Sequence, residues 1–399
     1  MRKHRSNRVI GALTFLLLGV GLVVIYAIGS QRANFMNSAY GTDYNQNFFF
    51  IHQLISVGLS VGAFILAFKF PYAKLRKLSK VLILLAFLTC GLLMLLSVAG
   101  SSLASCQLGA CRWINLGTFS IQPAEFLKLA LILYLAQLIS QHKEAGTFET
   151  RDFFIPFAIV SAISLFFVII AQKDLGTGVC IIAIIIAMLL VSGVKLRNFV
   201  VVLAVIAGFG VLSILVSPHR LERLMTFSGD GDASSSYHID NAMMAIGTGG
   251  IFGVGVGNSV QATGYLPESI NDSVFAVMGE TFGFVGLLIV IACFTILLLQ
   301  LLKISGGLPG EQSLIVIGVF AWVAAHVVVN IAAMTGLIPL TGITLPLLSY
   351  GGTSMIFISY GLGLSTQLSC YTGREVRNES ISSRRGVGRT HHASRRRSA

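Results

Sequence analysis

Acidic and basic side chains stand in clusters where this otherwise apolar chain leaves little room for charge. The densest cluster ends a polar break running from about 217 to 272, which closes Tyr265-Leu-Pro-Glu-Ser-Ile-Asn-Asp272. Glu280 follows about two helical turns later, so it and Asp272 are expected to look into one cavity. Arg220 and Arg223 lie near the start of the same break. A second cluster reads Ile121-Gln-Pro-Ala-Glu-Phe-Leu-Lys128. Pro123 suits a first helical turn there, and Glu125 and Lys128, three apart, share a face. Arg112-Trp113 adds a cation and an interfacial aromatic just upstream. Charge at membrane depth is costly and by default marks a functional site with a partner. An ion pair that only fixes helix packing is the plainer reading of Glu125 and Lys128.

The elements that position these groups are spans. Hydrophobic residues make up 55% of the chain and charged residues 11%, against about 25% charged in soluble domains. Apolar runs of about 20 residues recur, the length that crosses a ~30 Å hydrocarbon core. Ten are read, at 9–29, 49–68, 81–99, 123–140, 153–171, 175–192, 198–217, 273–302, 312–335 and 347–369. Only Gln172-Lys-Asp174 divides the fifth from the sixth. The runs lack strand alternation, so backbone satisfaction in lipid demands helices. The fold class is therefore an all-α polytopic membrane protein with about ten transmembrane helices and a long extracytoplasmic loop between helices 7 and 8. Residues 1–370 form the membrane domain, with 217–272 its large loop. Residues 371–399 form a basic cytoplasmic tail too poor in large apolar residues to fold.

Of the 28 Lys and Arg, 22 fall on the side of the N-terminus and only five in the loops of the opposite side. That bias places both termini in the cytoplasm and the long break outside. The net charge of +12 reflects this asymmetry and not a nucleic-acid partner. The first span reads as a retained signal anchor. Cys106 and Cys111 lie in one outer loop, on the oxidising side, and can close a disulfide.

Several motifs have bland readings. Asp174 can simply cap the following helix. His326 and Asn330, four apart in the ninth span, share a face, and His326 reads as a packing or hydrogen-bonding residue. Gly249-Gly-Ile-Phe-Gly-Val-Gly-Val-Gly257 is a weak nucleotide signature, since no strand precedes it and no Gly-Lys follows. Its glycines are expected to let a re-entrant segment pack tightly. The run from Gly336 to Ser354, with prolines at Pro339 and Pro346, implies irregular backbone buried in protein or lining a cavity.

Taken in order, Arg112-Trp-Ile-Asn-Leu-Gly117, Gln122-Pro-Ala-Glu-Phe-Leu-Lys128, Asp174-Leu-Gly-Thr177, Tyr265-Leu-Pro-Glu268 with Asp272, and the run from Gly336 to Ser354 resemble the SEDS family, which includes FtsW and RodA. The stretch Gly257-Asn-Ser-Val-Gln261 and the basic tail lean towards the FtsW branch. The resemblance covers essentially all ten spans. It implies a peptidoglycan glycosyltransferase of the bacterial plasma membrane that polymerises lipid II, the undecaprenyl-pyrophosphoryl disaccharide-pentapeptide, during septal wall synthesis and cell division. Asp272 would be the catalytic base in an inverting transfer. Glu125 and Lys128 would orient the cavity or bind pyrophosphate. Arg112, Arg220 and Arg223, with Glu268 and Glu280, complete the substrate-side set, and a divalent cation, magnesium or manganese, would assist. A class B penicillin-binding protein and other division proteins would be partners. Departures from the family pattern are Lys173 where a proline is usual, Ile270-Asn271 where His-Thr is usual, and His238 and His326 where glutamine is frequent. Two other readings suit a ten-span protein: a lipid II flippase, whose site belongs near the bilayer midplane, and a scaffold that only activates its penicillin-binding partner. The part of the break from Arg220 to Gly264 is expected to be a mobile cover over the site.

Overall fold

A computed structural model of the chain describes residues 7–107, 110–117, 119–148, 150–215 and 233–371. Eleven α-helices are present among them: α1 Arg8–Tyr40, α2 Phe48–Lys69, α3 Tyr72–Val98, α4 Pro123–Glu144, α5 Arg151–Leu165, α6 Leu175–Ser192, α7 Leu196–Leu215, α8 Ala233–Thr248, α9 Val274–Ser305, α10 Gly310–Met334 and α11 Gly352–Leu368. Eight are long and apolar enough to cross a membrane. With α7 and α11 they correspond to the ten spans read from the sequence. The doubtful division at Gln172–Asp174 is real: α5 loosens into a π-helical turn, Phe166–Ala171, and Asp174 caps α6 by accepting from Thr177 N at 3.0 Å and Thr177 Oγ1 at 2.9 Å.

α4 and α10 form the interior. Both are buried along most of their length, whereas α2 and α3 turn many leucines outward, as lipid-facing helices do. α10 packs against α6 and α4, and α11 lies along α2. At one end of the bundle Asn7 N donates to Ser369 Oγ at 3.0 Å, so the two ends of the described chain meet.

Three features depart from the reading above. Residues 99–122 contain a small antiparallel sheet in the order β1-β2-β3: β1 Ala104–Gln107, β2 Ala110–Asn115 and β3 Ser120–Ile121. Cys106 pairs with Cys111 in its register, and the two are joined as a disulfide. α1 runs to Tyr40, well past the span expected to end at 29. Its extension supports the polar break: Gln31 Nε2 donates to Gly257 O at 2.6 Å, and Phe35 fills the space a side chain at Gly264 would need. Where it is described, the break is folded rather than an open loop. Residues 233–248 are α8, and 249–257 are bonded into the bundle. Residues 216–232, with Arg220 and Arg223, and the tail 372–399 lie outside the described residues.

The glycine run packs as its spacing implied. α9 is broken at Gly283, whose φ of 68° and ψ of −170° no helix accommodates. The groups freed there are taken by the glycine segment: Val254 N donates to Glu280 O (2.9 Å), Gly255 N to Thr281 O (3.1 Å), Phe284 N to Gly250 O (2.9 Å) and Val285 N to Ile251 O (3.1 Å). Contact this close excludes a Cβ. At Gly253, φ 82°, one would lie 2.3 Å from Thr281 O. Gly253→Ala is therefore expected to cost about 1–3 kcal/mol and to lower the unfolding midpoint in detergent. Gly250→Ala, with open space at the same atom, should fall measurably less.

Candidate active site

α4 starts at Pro123 and carries Glu125 and Lys128 inward on one face. Lys128 has no exposed surface, and its Nζ donates to Glu125 Oε1 at 2.9 Å. The same ammonium lies 2.8 Å from His326 Nε2 and 5.1 Å from the centroid of the Trp322 ring, both on α10. Trp322 Nε1 also donates to His326 Nε2, at 3.3 Å. An ammonium and an indole N–H only donate, so Nε2 is the bare nitrogen. Nδ1 then carries the proton and donates to Thr344 O at 3.3 Å. Glu125 and Lys128 thus form a sealed charge pair and not the wall of an open cavity.

One turn beyond His326, Asn330 Nδ2 donates to both Ile343 O and Asp272 O, each at 2.7 Å. Tyr350 N donates to Ile270 O at 2.8 Å. The irregular run 336–351 is therefore laid against the Asp272 loop and stitched to it from two sides. Trp322, His326 and Asn330 recur every four residues and make α10 the spine between the Lys128 pair and Asp272. Sequence reading noted that His326 and Asn330 share a face but assigned the site to neither. Trp322 was missed, although its spacing places it on that same stripe.

Asp272 stands just before α9 and is 9% exposed. Burial first, and the charge of Glu268 second, push its carboxyl from the ordinary value up to about 7, against hydrogen bonds from the backbone and Ser273 that favour the ionised form. Ser273 Oγ donates to Pro267 O at 2.9 Å and lies 2.7 Å from His238 Nε2. Glu268 adopts φ 49° and its carboxylate accepts from Asn271 Nδ2. Ile270, one of the departures, is buried and packs.

Arg112 and Glu280 are committed elsewhere. Arg112 donates through Nη2 to Lys173 O at 3.1 Å and its Nε lies 3.9 Å from Asp174 Oδ2, tying the small sheet to the α5–α6 turn. Lys173 has φ 52°, an angle closed to the proline usual at that position. The Glu280 carboxylate accepts from Ser259 Oγ, from Val260 N at 2.9 Å and from Gln261 N at 3.3 Å. It anchors the loop ahead of Asp272; the expectation that both acids look into one cavity is replaced by this support. Among the described residues no group of three or more His, Cys, Asp or Glu is placed to hold a metal ion.

Removing one partner of a buried pair strands the other, at a cost of about 3–5 kcal/mol. Lys128→Met should therefore unfold the detergent-purified protein at a markedly lower temperature. Adding Glu125→Gln should recover most of that loss, since the stranded charge is then gone; thermal unfolding of the two variants checks this.

The family model described as a cell cycle protein, FtsW/RodA/SpoVE, matches residues 8–373. Stage V sporulation protein E of Bacillus subtilis (strain 168) is 34% identical over 376 residues, spanning 93% of this chain and 99% of the relative. The probable peptidoglycan glycosyltransferase FtsW of Tolumonas auensis is 33% identical over 361 residues, 88% of this chain and 89% of the relative. Among solved structures, a chain from work on structural coordination of polymerization and crosslinking by a peptidoglycan synthase complex superposes with TM-score 0.71 at 22% identity, covering 93% of this chain and 99% of its own. The rod shape determining protein RodA of Thermus thermophilus gives 0.65 at 23% identity, with 91% and 96% covered. Matches of this extent, over motifs that the fold gathers at one end of a single bundle, settle the classification: the chain belongs to the FtsW/RodA/SpoVE family.

Proposed function

We propose that the protein polymerises lipid II as a peptidoglycan glycosyltransferase, with Asp272 as general base, and that it serves wall synthesis at division. Two observations carry the reading. Relatives at 33% identity bear the name probable peptidoglycan glycosyltransferase. Asp272, whose backbone carbonyl Asn330 holds, has its carboxyl pushed up to about 7 by burial and then by the Glu268 charge, where a base is half available at neutral pH.

In this mechanism the acceptor sugar's 4-hydroxyl approaches Asp272 and loses its proton to the carboxylate as it attacks the anomeric carbon of the donor. The lipid pyrophosphate departs from the opposite face, so the centre inverts and a β-linked strand grows without a covalent enzyme intermediate. Asn330, by holding the Asp272 carbonyl, sets where that carboxylate stands. Magnesium or manganese suits a site of one or two carboxylates completed by substrate phosphates; Glu268, whose charge is felt at Asp272, is the carboxylate at hand for it. Bound there, the ion would offset charge developing on the leaving phosphate.

The lysine and arginine bias supports placing the Asp272 end outside the plasma membrane, with both termini in the cytoplasm. A class B penicillin-binding protein is the proposed partner, which would crosslink the strands as they emerge, together with other division proteins at the septum.

The test supplies purified protein and its penicillin-binding partner with lipid II and a divalent cation, and reads glycan strands on a gel. Asp272→Asn should lose about 10²–10⁴-fold in rate; polymer made at the wild-type rate would sink the base assignment. Protonated Asp272 cannot accept a proton, so the wild-type rate should climb as pH rises through about 7.

A further inference from the structure

The leaving diphosphate needs hydrogen-bond donors as well as positive charge, and the most buried cation of the site is already engaged. Lys128 is sealed against Glu125 and His326, and Arg112 is held by Asp174 and the Lys173 carbonyl. We infer that the start of α11, from Gly351 to Ser354, is a binding site for a phosphate or diphosphate ester.

α11 runs Gly352–Leu368, and its N-cap, Gly351, supplies no side-chain cap. The first N–H groups of a helix have no partner within it, and the helix dipole makes that end attractive to anions. Gly351 and Gly352 are half-buried; a Cβ at Gly351 would meet nothing nearer than the Thr344 methyl at 4.0 Å, whereas one at Gly352 would meet the Ser56 hydroxyl at 3.1 Å, so the approach is open on the Gly351 side.

A second observation, independent of the helix end, points to a ligand. Ser354 is 6% exposed and its Oγ has no hydrogen-bond partner. It occupies the third helical position, where the Cα–Cβ bond tilts back towards the helix start. A buried, unpartnered hydroxyl is thus carried on a Cβ that tilts to the same end as the free N–H groups. Its neighbour does not share this state, since Thr353 Oγ1 donates to Ser120 O at 2.8 Å. A buried donor left idle is unfavourable unless something arrives to accept from it. Phosphate oxygens accept from both kinds of donor.

The place fits the chemistry. Tyr350, one residue ahead of the cap, is bonded to Ile270, two residues from Asp272. An anion seated on the α11 start therefore lies beside the loop that carries the proposed base. This assignment of the ligand to the substrate's diphosphate rests on the glycosyltransferase reading, whereas the site itself does not. A bilayer phospholipid offers the same phosphate chemistry, and the experiment separates the two.

The probe is labelled inorganic pyrophosphate, dialysed to equilibrium against the full-length protein in a neutral detergent. Ser354→Asp places a carboxylate at a position where helix starts favour one, so the fold should hold, as its unfolding temperature will report, while the site fills with its own anion. Wild type should bind, Ser354→Asp at least tenfold more weakly, and Ser354→Ala in between. Asp272→Asn should bind as wild type does. Pyrophosphate should also compete with lipid II in the wild-type polymerisation assay. If phosphatidylglycerol nanodiscs displace the label and lipid II does not, the phosphate site stands and its occupant is a bilayer lipid. Equal affinity in wild type and Ser354→Asp, or no binding to wild type at millimolar pyrophosphate, overturns the inference. Binding without polymerisation would instead leave this site in place and remove the proposed function, so the two failures are distinct.

Discussion

An ammonium with no exposed surface must be answered from within the protein, and the arrangement of the site follows from how Lys128 is answered. Glu125 supplies charge from the same helix. Trp322 and His326 supply a ring face and a bare nitrogen from α10. This locks α4 to α10 in one register. It also fixes which nitrogen of His326 carries the proton, and that proton reaches Thr344 O. A turn later Asn330 holds Ile343 and Asp272 by their carbonyls. A buried ion pair adds little net stability over a well-packed apolar pair, but it admits few alternative packings. Here that selectivity is passed along one helix face to the acid at the rim.

What could be read from the sequence follows the range of the interactions. Spans are set by local composition, and ten of them were legible. Glu125 with Lys128 was legible because a separation of three residues settles which face they occupy. Asp174 as a cap was legible for the same reason, since its partner is Thr177. The partners of Arg112, Glu280 and Asn330 were not, because Lys173, Ser259 and Asp272 reach them only once the bundle has assembled. α8 was read as loop: its serine-rich start and glycine-rich exit are poor helix formers, and tertiary packing overrides that weak preference. The small sheet was hidden in the same way, its strands being too short to show a period.

The departures from the family pattern gain physical content. Lys173 occupies a left-handed backbone that its family's usual proline could not, and its carbonyl is one of the two groups holding Arg112. Ile270 turns its side chain into the protein and offers its carbonyl to Tyr350. Neither change puts a new reactive group beside Asp272. Both alter how the loops around it are suspended, while the carboxyl stays buried within reach of the Glu268 charge.

The break in α9 at Gly283 leaves two rods where one would be expected. Residues 284–305 are a rod that turns Leu288, Ile289, Ile296 and Leu299 outward and Leu287, Phe294 and Leu301 into the bundle. Residues 274–282 follow directly on Asp272 and are gripped by the 249–257 segment across the break. The glycine segment bonds to both rods, to Glu280 and Thr281 on one side and to Phe284 and Val285 on the other, so the bend is a clamped elbow and not a free one. A continuous helix would satisfy those four backbone groups by itself and leave the segment nothing to hold. The loop ahead of Asp272 therefore owes its anchorage to hydrogen bonds that the helix gives up at its own break.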